Sequence, residues 1–390
     1  MNVIYTSSVR AIATQITLMS LCLFACSHLH AETIDVYFGS AGKNSEGIYH
    51  STLNTDTGKL SKATQAHDIT AAKFITTSPD NQYLYAVATQ KAPDEPVVAA
   101  YKIEKNGELA LLNKTPVGDS SGTHISVHPN NRFLITAQYG GNSVALFPIE
   151  EEGRVGERAQ LFEHKGGSGV VPSRQQKPHP HWVGFSPDER FAFAPDLGKD
   201  EIVIYKVNRK KNTLKKHGAA QAIAGGGPRH MRFSVDGKFI YLLNELTLSV
   251  TTFAYDAKKG KASPLTTVAT LSEATKAKEG FNSASEILVH PNGKFVFTGN
   301  RGHDSISAFR ANPETGELAL IEVEAIRGSW PRSISMDPSG RWLLAAGARS
   351  NTISVFGINQ ETGELTFQTG GVINVPEPIT IAFGRTQKAE

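Results

Sequence analysis

The chain has 390 residues, 39% hydrophobic and 20% charged, with a formal net charge of +3. So small and dispersed an excess, with no basic run interleaved with aromatics, excludes a nucleic-acid-binding surface. The one basic cluster, Arg209-Lys210-Lys211 with Lys215-Lys216, flanks an expected hairpin tip and reads as a solvated turn.

Residues 1–31 read as an export leader. They hold no Asp, Glu or Lys, and Arg10 precedes a mostly apolar stretch, 11–25, that Thr14, Gln15, Thr17 and Ser20 make a poor membrane span. Leu29-His30-Ala31 offers a signal-peptidase site, and Leu23-Phe24-Ala25-Cys26 offers a lipoprotein site. A soluble periplasmic or secreted protein is the expectation, with a lipoprotein anchored through Cys26 as the alternative. Cys22 and Cys26 both lie in the leader, so the mature chain has no disulfide and its core alone must stabilise it.

From Glu32 onward two turn signatures alternate. A first strand, Ile34-Asp35-Val36-Tyr37-Phe38, leads to the turn Thr57-Gly58-Lys59-Leu60. Then comes Thr77-Ser78-Pro79-Asp80-Asn81-Gln82-Tyr83, in which apolar residues flank a Pro-Asp-Gly-like turn followed by an aromatic. The alternation continues along the chain. Turns of the first kind recur at Asn106-Gly107-Glu108-Leu109, Glu152-Gly153-Arg154-Val155, Lys211-Asn212-Thr213-Leu214, Lys259-Gly260-Lys261-Ala262, Thr315-Gly316-Glu317-Leu318 and Thr362-Gly363-Glu364-Leu365. Turns of the second kind recur around Pro129, Pro187, Val235, Pro291 and Pro338, so from Pro79 the steps are 50, 58, 48, 56 and 47 residues. That is the length of a four-stranded propeller blade with its loops.

Seven copies of one turn stand against six of the other. The missing one is explained if the C-terminal Pro378-Ile379-Thr380-Ile381-Ala382-Phe383 is an inner strand whose neighbour is the N-terminal strand. The expected fold is therefore all-β, a seven-bladed β-propeller over 32–390 with four antiparallel strands per blade. Its last blade is closed by one C-terminal and three N-terminal strands, which leaves no free sheet edge. A seven-repeat solenoid is the competing reading.

Calling the strands A to D from the channel outward, both repeated turns fall on one face, and the approaches to strand A and the B–C loops fall on the other. Function belongs where the repeats differ. The variable face carries Thr123-His124, Pro178-His179-Pro180-His181-Trp182, Gly227-Pro228-Arg229-His230, Ser283-Ala284-Ser285-Glu286 and Trp330-Pro331-Arg332 before the A strands. Its loops carry Tyr139, Asn244-Glu245-Leu246 and Asn300-Arg301-Gly302-His303-Asp304. His181 also fits a buried core imidazole, Arg229 and Arg301 inter-blade ion pairs, and Glu245 their partner. His128 and His290 sit at the turn face and read as structural. No phosphate loop, His-Glu-x-x-His zinc motif or Gly-x-Ser-x-Gly elbow is present, and no metal or other cofactor is called for.

At Pro178-His179-Pro180-His181, Gly226-Gly227-Pro228-Arg229-His230, Asn244-Glu245-Leu246 and Asn300-Arg301-Gly302-His303-Asp304-Ser305 the chain resembles the bacterial 6-phosphogluconolactonases. That family of seven-bladed propellers is related to fungal carboxymuconate-lactonizing enzymes. The resemblance spans essentially all of the mature chain. It implies hydrolysis of a sugar lactone, with a His, two Arg and a Glu as catalytic groups: His181, Arg229, Arg301 and Glu245. His181 or Glu245 would act as base and acid, and the arginines would hold an anionic substrate and the oxyanion. His124, His179, His230, His303 and Arg332 are the expected substrate contacts. The partner is a small anionic lactone, and a monomer is expected. An exported enzyme meets little 6-phosphogluconolactone, so an unphosphorylated or other anionic lactone is also open. The alternatives in other classes are a cyclase running lactone formation and a non-catalytic binding propeller.

Overall fold

The computed structural model describes residues 1, 32–43, 45, 47–90 and 94–387. Apart from Met1, the proposed leader with Cys22, Cys26 and both processing sites lies outside the described residues. Among the described residues no helix is long and apolar enough to cross a membrane.

Seven antiparallel sheets follow one another, each a blade, six of them with their strands in sequence order. Blade two is Thr70–Thr77, Tyr83–Gln90, Glu95–Ile103 and Leu109–Pro116, and blade three is His124–Val127, Phe133–Gln138, Ser143–Pro148 and Gln160–Glu163. Blade four has an inner strand of only Gly184–Phe185, then Phe191–Asp196, Glu201–Asn208 and Thr213–Gln221. Blade five is Pro228–Phe233, Phe239–Asn244, Ser249–Asp256 and Lys261–Ala269, and blade six is Ser283–Val289, Phe295–Arg301, Ser305–Ala311 and Leu318–Ala325. Blade seven is Pro331–Met336, Trp342–Gly347 and Thr352–Ile358, its outer edge split between Leu365–Phe367 and Ile373–Asn374. Blade one closes the ring as expected: Pro378–Gln387 pairs with Thr33–Ser40, which leads outward to Ile48–Asn54 and Thr64–His67.

The two repeated turns turn out to be halves of one joint between blades. In the A–B turns the third residue is left-handed in all six copies (Asn81, Asn131, Glu189, Gly237, Gly293, Gly340). Asn and Gly tolerate that conformation best. A preceding Ser, His or Asp caps the turn: Ser186 Oγ donates to Asp188 and accepts from Phe191 N at 3.0 Å, His128 Nδ1 accepts from Asn130 N at 3.1 Å, and Asp337 Oδ1 accepts from Trp342 N at 2.7 Å. His128 and His290 therefore belong to turns. The aromatic after the turn lies on the C–D turn of the next blade. A Cβ on Gly260 would come within 2.2 Å of the Phe191 ring, one on Gly153 within 2.4 Å of Tyr83, and one on Gly58 within 2.5 Å of Trp342. Trp342 also donates Nε1–H to Thr55 O at 2.8 Å, tying blade seven to blade one.

The core lies between blades, where the B and C strands of neighbours interdigitate. Phe193 and Ile202 of blade four meet Ile240 and Phe253 of blade five, for example, all fully buried. Each such side chain contributes roughly 1.5–3 kcal/mol relative to exposure.

Candidate active site

The channel end of the innermost strands is irregular, and the irregularity supplies the site. In blade five Pro228 pairs with Asn244 and His230 with Leu243, so Arg229 is an extra residue. In blade seven Pro331 pairs with Gly347 and Ser333 with Ala346, leaving Arg332 extra. Blade six opposes Ser285 and Glu286 to Gly299 alone, and blade two opposes 71–73, ending in Lys73, to Ala88 alone. Blade one leaves out Ile379. In blade four, 181–183 face only 194–195 between the Pro180–Asp196 bridge and the Gly184–Phe193 pair. A β-bulge of this kind turns a side chain out of the pleat. Blade three pairs without a bulge. The inner cleft is lined by Lys73, Phe74, Thr123, His181, Arg229, His230, Glu286, Arg332 and Ile379. Six of these nine are bulge residues. Next to it a hollow of about 330 Å³ opens outward between Lys73, Trp330, Arg332, Arg349 and Glu377. The larger grooves on the rim of the disk are lined by hairpin residues such as Pro313 and Lys210 and contain none of this cluster.

The structure brings His181, Arg229, Glu245 and Arg301 together. Glu245 Oε2 accepts from Arg229 Nε at 2.9 Å and lies 3.2 Å from Arg301 Nη2 and 4.0 Å from His181 Nε2. Its other oxygen accepts from Arg174 Nη2 at 2.7 Å. Arg301 Nη2 also donates to Ala284 O at 2.7 Å, and its guanidinium lies 5.7 Å from the Trp330 ring centroid. Glu245 is placed from both sides: its N–H donates to Gly227 O, and Asp200 takes hydrogen bonds from Gly225 N, Gly227 N and Gln175 Nε2. One buried carboxylate thus holds both the glycine turn before Arg229 and the loop that carries Arg174.

Of the expected substrate contacts, His230 and Arg332 line the cavity. His124 packs behind them, its ring 5.4 Å from that of His230 and edge-on. His179 stacks on Tyr139 at 4.2 Å and hydrogen-bonds Tyr139 O through Nδ1. His303 directs its Nδ1 to Ser305 Oγ in its own loop rather than to the quartet. Among the described residues no group of three or more His, Cys, Asp and Glu is gathered to hold a metal ion.

The family description "Lactonase, 7-bladed beta-propeller" matches residues 35–383, nearly the whole ring. The chain belongs to this lactonase family. It is 35% identical over 304 residues to the 6-phosphogluconolactonase of Bacillus subtilis, covering 77% of this chain and 84% of that one. It is 34% identical over 301 residues to the 6-phosphogluconolactonase of Formosa agariphila, covering 76% and 83%. The solved structure of the periplasmic gluconolactonase of Pseudomonas aeruginosa superposes with a TM-score of 0.83 at 26% identity, covering 91% of this chain and 100% of that one.

In this lactonase the electrostatics of the cluster separate its groups. Burial would push the Glu245 carboxyl up, but Arg301, Arg229, His181 and Arg174 outweigh it and hold the group well below the usual carboxylate range. Burial, with Arg229 and His230, holds His181 well below an ordinary histidine, so it is neutral at pH 7. Burial and Arg301 push Arg229 down to about 9 and Arg332 to about 10, which leaves both charged at neutral pH. Lys73 and Arg332 have no ion-pair or side-chain hydrogen-bond partner among the described residues, and neither do the buried Arg229 Nη1 and Arg301 Nε. Cations outnumber carboxylates around the channel.

Arg174 and Lys73 escaped the sequence reading, and Glu286 was placed on the variable face without a role. Arg174 sits in the long connection between blades three and four, whose length was its only signal. Glu286 lies in an otherwise small and apolar strand, Ser283–Val289, where a lone acid was the signal.

Proposed function

We propose that this lactonase hydrolyses a sugar lactone of the aldono-1,5-lactone type, in the manner of the 6-phosphogluconolactonases it resembles, using side chains alone. The observation that carries the reading is a neutral His181 beside an ionised Glu245 in a channel where guanidinium groups are in excess. His181 is the base. It takes a proton from water, whose oxygen bonds to the lactone carbonyl carbon. The resulting oxyanion is met by the unpartnered Arg229 Nη1, a donor already fixed before the charge develops. Collapse breaks the ring C–O bond, and His181 returns its proton to the departing alkoxide, giving the open hydroxy acid. Glu245, saturated by three arginines, orients the guanidinium planes and balances their charge. The named relatives are hydrolases rather than lactonizing enzymes or binding modules.

Lys73 and Arg332, in the hollow that also holds Arg349, favour a substrate with a phosphate or carboxylate at the end remote from the lactone. The leader supports an exported enzyme, in keeping with the periplasmic Pseudomonas relative. The test is hydrolysis of glucono-1,5-lactone and its 6-phosphate, followed by acid release. Both should be cleaved, the phosphorylated one with the lower KM, and Lys73→Met with Arg332→Met should erase that difference. Failure to cleave any aldonolactone would overturn the reading.

A further inference from the structure

Behind His181 stands a second histidine, and behind that a second carboxylate. Glu286, carried by the blade-six bulge, is 2% exposed, and its Oε1 collects three donors: His230 Nδ1 at 2.9 Å, Arg232 Nη2 at 3.0 Å and the Ile287 N–H at 3.1 Å. On the other side of the same ring His230 Nε2 lies 3.2 Å from His181 Nδ1. Both rings are buried and flanked by arginines that keep them neutral. A neutral imidazole has one N–H and one bare nitrogen. A carboxylate oxygen only accepts, so His230 must carry its proton on Nδ1. Its Nε2 is then bare and can only accept, so His181 must carry its proton on Nδ1. His181 Nε2 is left bare, the nitrogen nearest Glu245. The opposite arrangement sets a lone pair of His230 against the Glu286 oxygen and satisfies neither.

We propose that Glu286 and His230 are positioning residues that hold His181 in its Nδ1–H tautomer and so present Nε2 as the base. The assignment rests on the lactonase reading with His181 as base. No proton passes along the chain: Nε2 takes one from water and gives it back to the leaving alkoxide, while the Nδ1 hydrogen bonds stay as they are. During that interval the imidazolium is stabilised through His230 by the Glu286 carboxylate, an arrangement analogous to a base oriented by a buried acid. The rings have little freedom to turn. His230 meets His124 edge-on, Phe74 packs on His124 at 4.1 Å and lies edge-on to His230 at 6.3 Å, and Arg232 lies over Trp182 at 5.6 Å. The charged and titratable groups around the pair come from six blades: Lys73 from blade two, His124 from blade three, Arg229, Arg232 and Glu245 from blade five, Glu286 and Arg301 from blade six, and Arg332 from blade seven, with His181 itself from blade four.

Nitrogen-15 spectra of histidine-labelled protein test this without reference to turnover. In the wild type His181 and His230 should each show a protonated Nδ1 and a bare Nε2. A proton on His181 Nε2 overturns the proposal whatever the activity. The kinetic arm uses His230→Phe and Glu286→Gln on the lactone that the wild type cleaves. His230→Phe should lower kcat by about 10–100-fold with KM within about twofold. It should also move the acid limb of the pH profile downward, because the imidazolium loses the acceptor through which Glu286 stabilises it. Wild-type kcat and an unmoved limb in both variants would also overturn the proposal. A wild type that cleaves no lactone defeats the functional reading instead, and the spectra still decide the tautomer.

Discussion

The two ends of each innermost strand obey different rules. At the turn end six blades repeat one capped left-handed turn, and in five of them the aromatic after it covers a glycine of the next blade. At the channel end six of the seven blades break register, and each break delivers a different side chain: Ile379, Lys73, His181, Arg229, Glu286 or Arg332. The comparison teaches how a repeat protein separates its two tasks. Stability is written in what the blades share. Chemistry is written in one residue per blade that the ladder does not need, so it can vary without costing a strand.

If that division holds, substitutions at the two ends should fail in different assays. The largest effect is expected at the channel end. Arg229→Met removes the donor proposed for the oxyanion and one partner of Glu245, and kcat/KM should fall by about 10²–10³. Steady-state kinetics check this, and a loss under tenfold would remove Arg229 from the mechanism. At the turn end, Gly260→Ala adds a Cβ at φ +62 against Phe191. Stability should drop by about 1–3 kcal/mol while kcat/KM at 25 °C is unchanged. Urea denaturation beside a rate assay reads both, and an equal loss of activity would break the comparison.

The smallest effect is a shift in pH dependence. His181 must be unprotonated to act as base, and burial, Arg229 and Arg332 hold it low. Activity should therefore be flat through neutral pH and fall only well below an ordinary histidine's titration. Arg332→Met removes one of these positive charges and raises the folded-state value. The acid limb should then move to higher pH by up to about one unit. A limb that stays or moves down would contradict His181 as the base.

The two ends also differed in how well they could be read from the sequence. The turn end was legible because its physics repeats. Left-handed positions select Asn and Gly, and the aromatic after each turn fills a fixed space, so even the split blade showed itself as a missing turn. The channel end was legible only in part. Polar residues at the start of apolar strands flagged His181, Arg229 and Arg332, and the loop after Phe239–Asn244 flagged Glu245. The bulges that turn these side chains inward leave no periodic mark. The pairing of Glu286 with His230 spans 56 positions and that of Arg174 with Glu245 spans 71, beyond any local pattern. His303 shows the converse: its loop was found, but the side chain folds back on Ser305.

Ring closure by the strand Pro378–Gln387 has a consequence for timing. That strand is innermost in its blade and brings Ile379 to the cavity wall, yet it follows every other described strand in the chain. Until it leaves the ribosome, Thr33–Ser40 has no inner neighbour and the channel has a gap along its length. A chain in synthesis can hold several finished blades and still lack a closed channel. The order of synthesis therefore delays the working site until this strand is available.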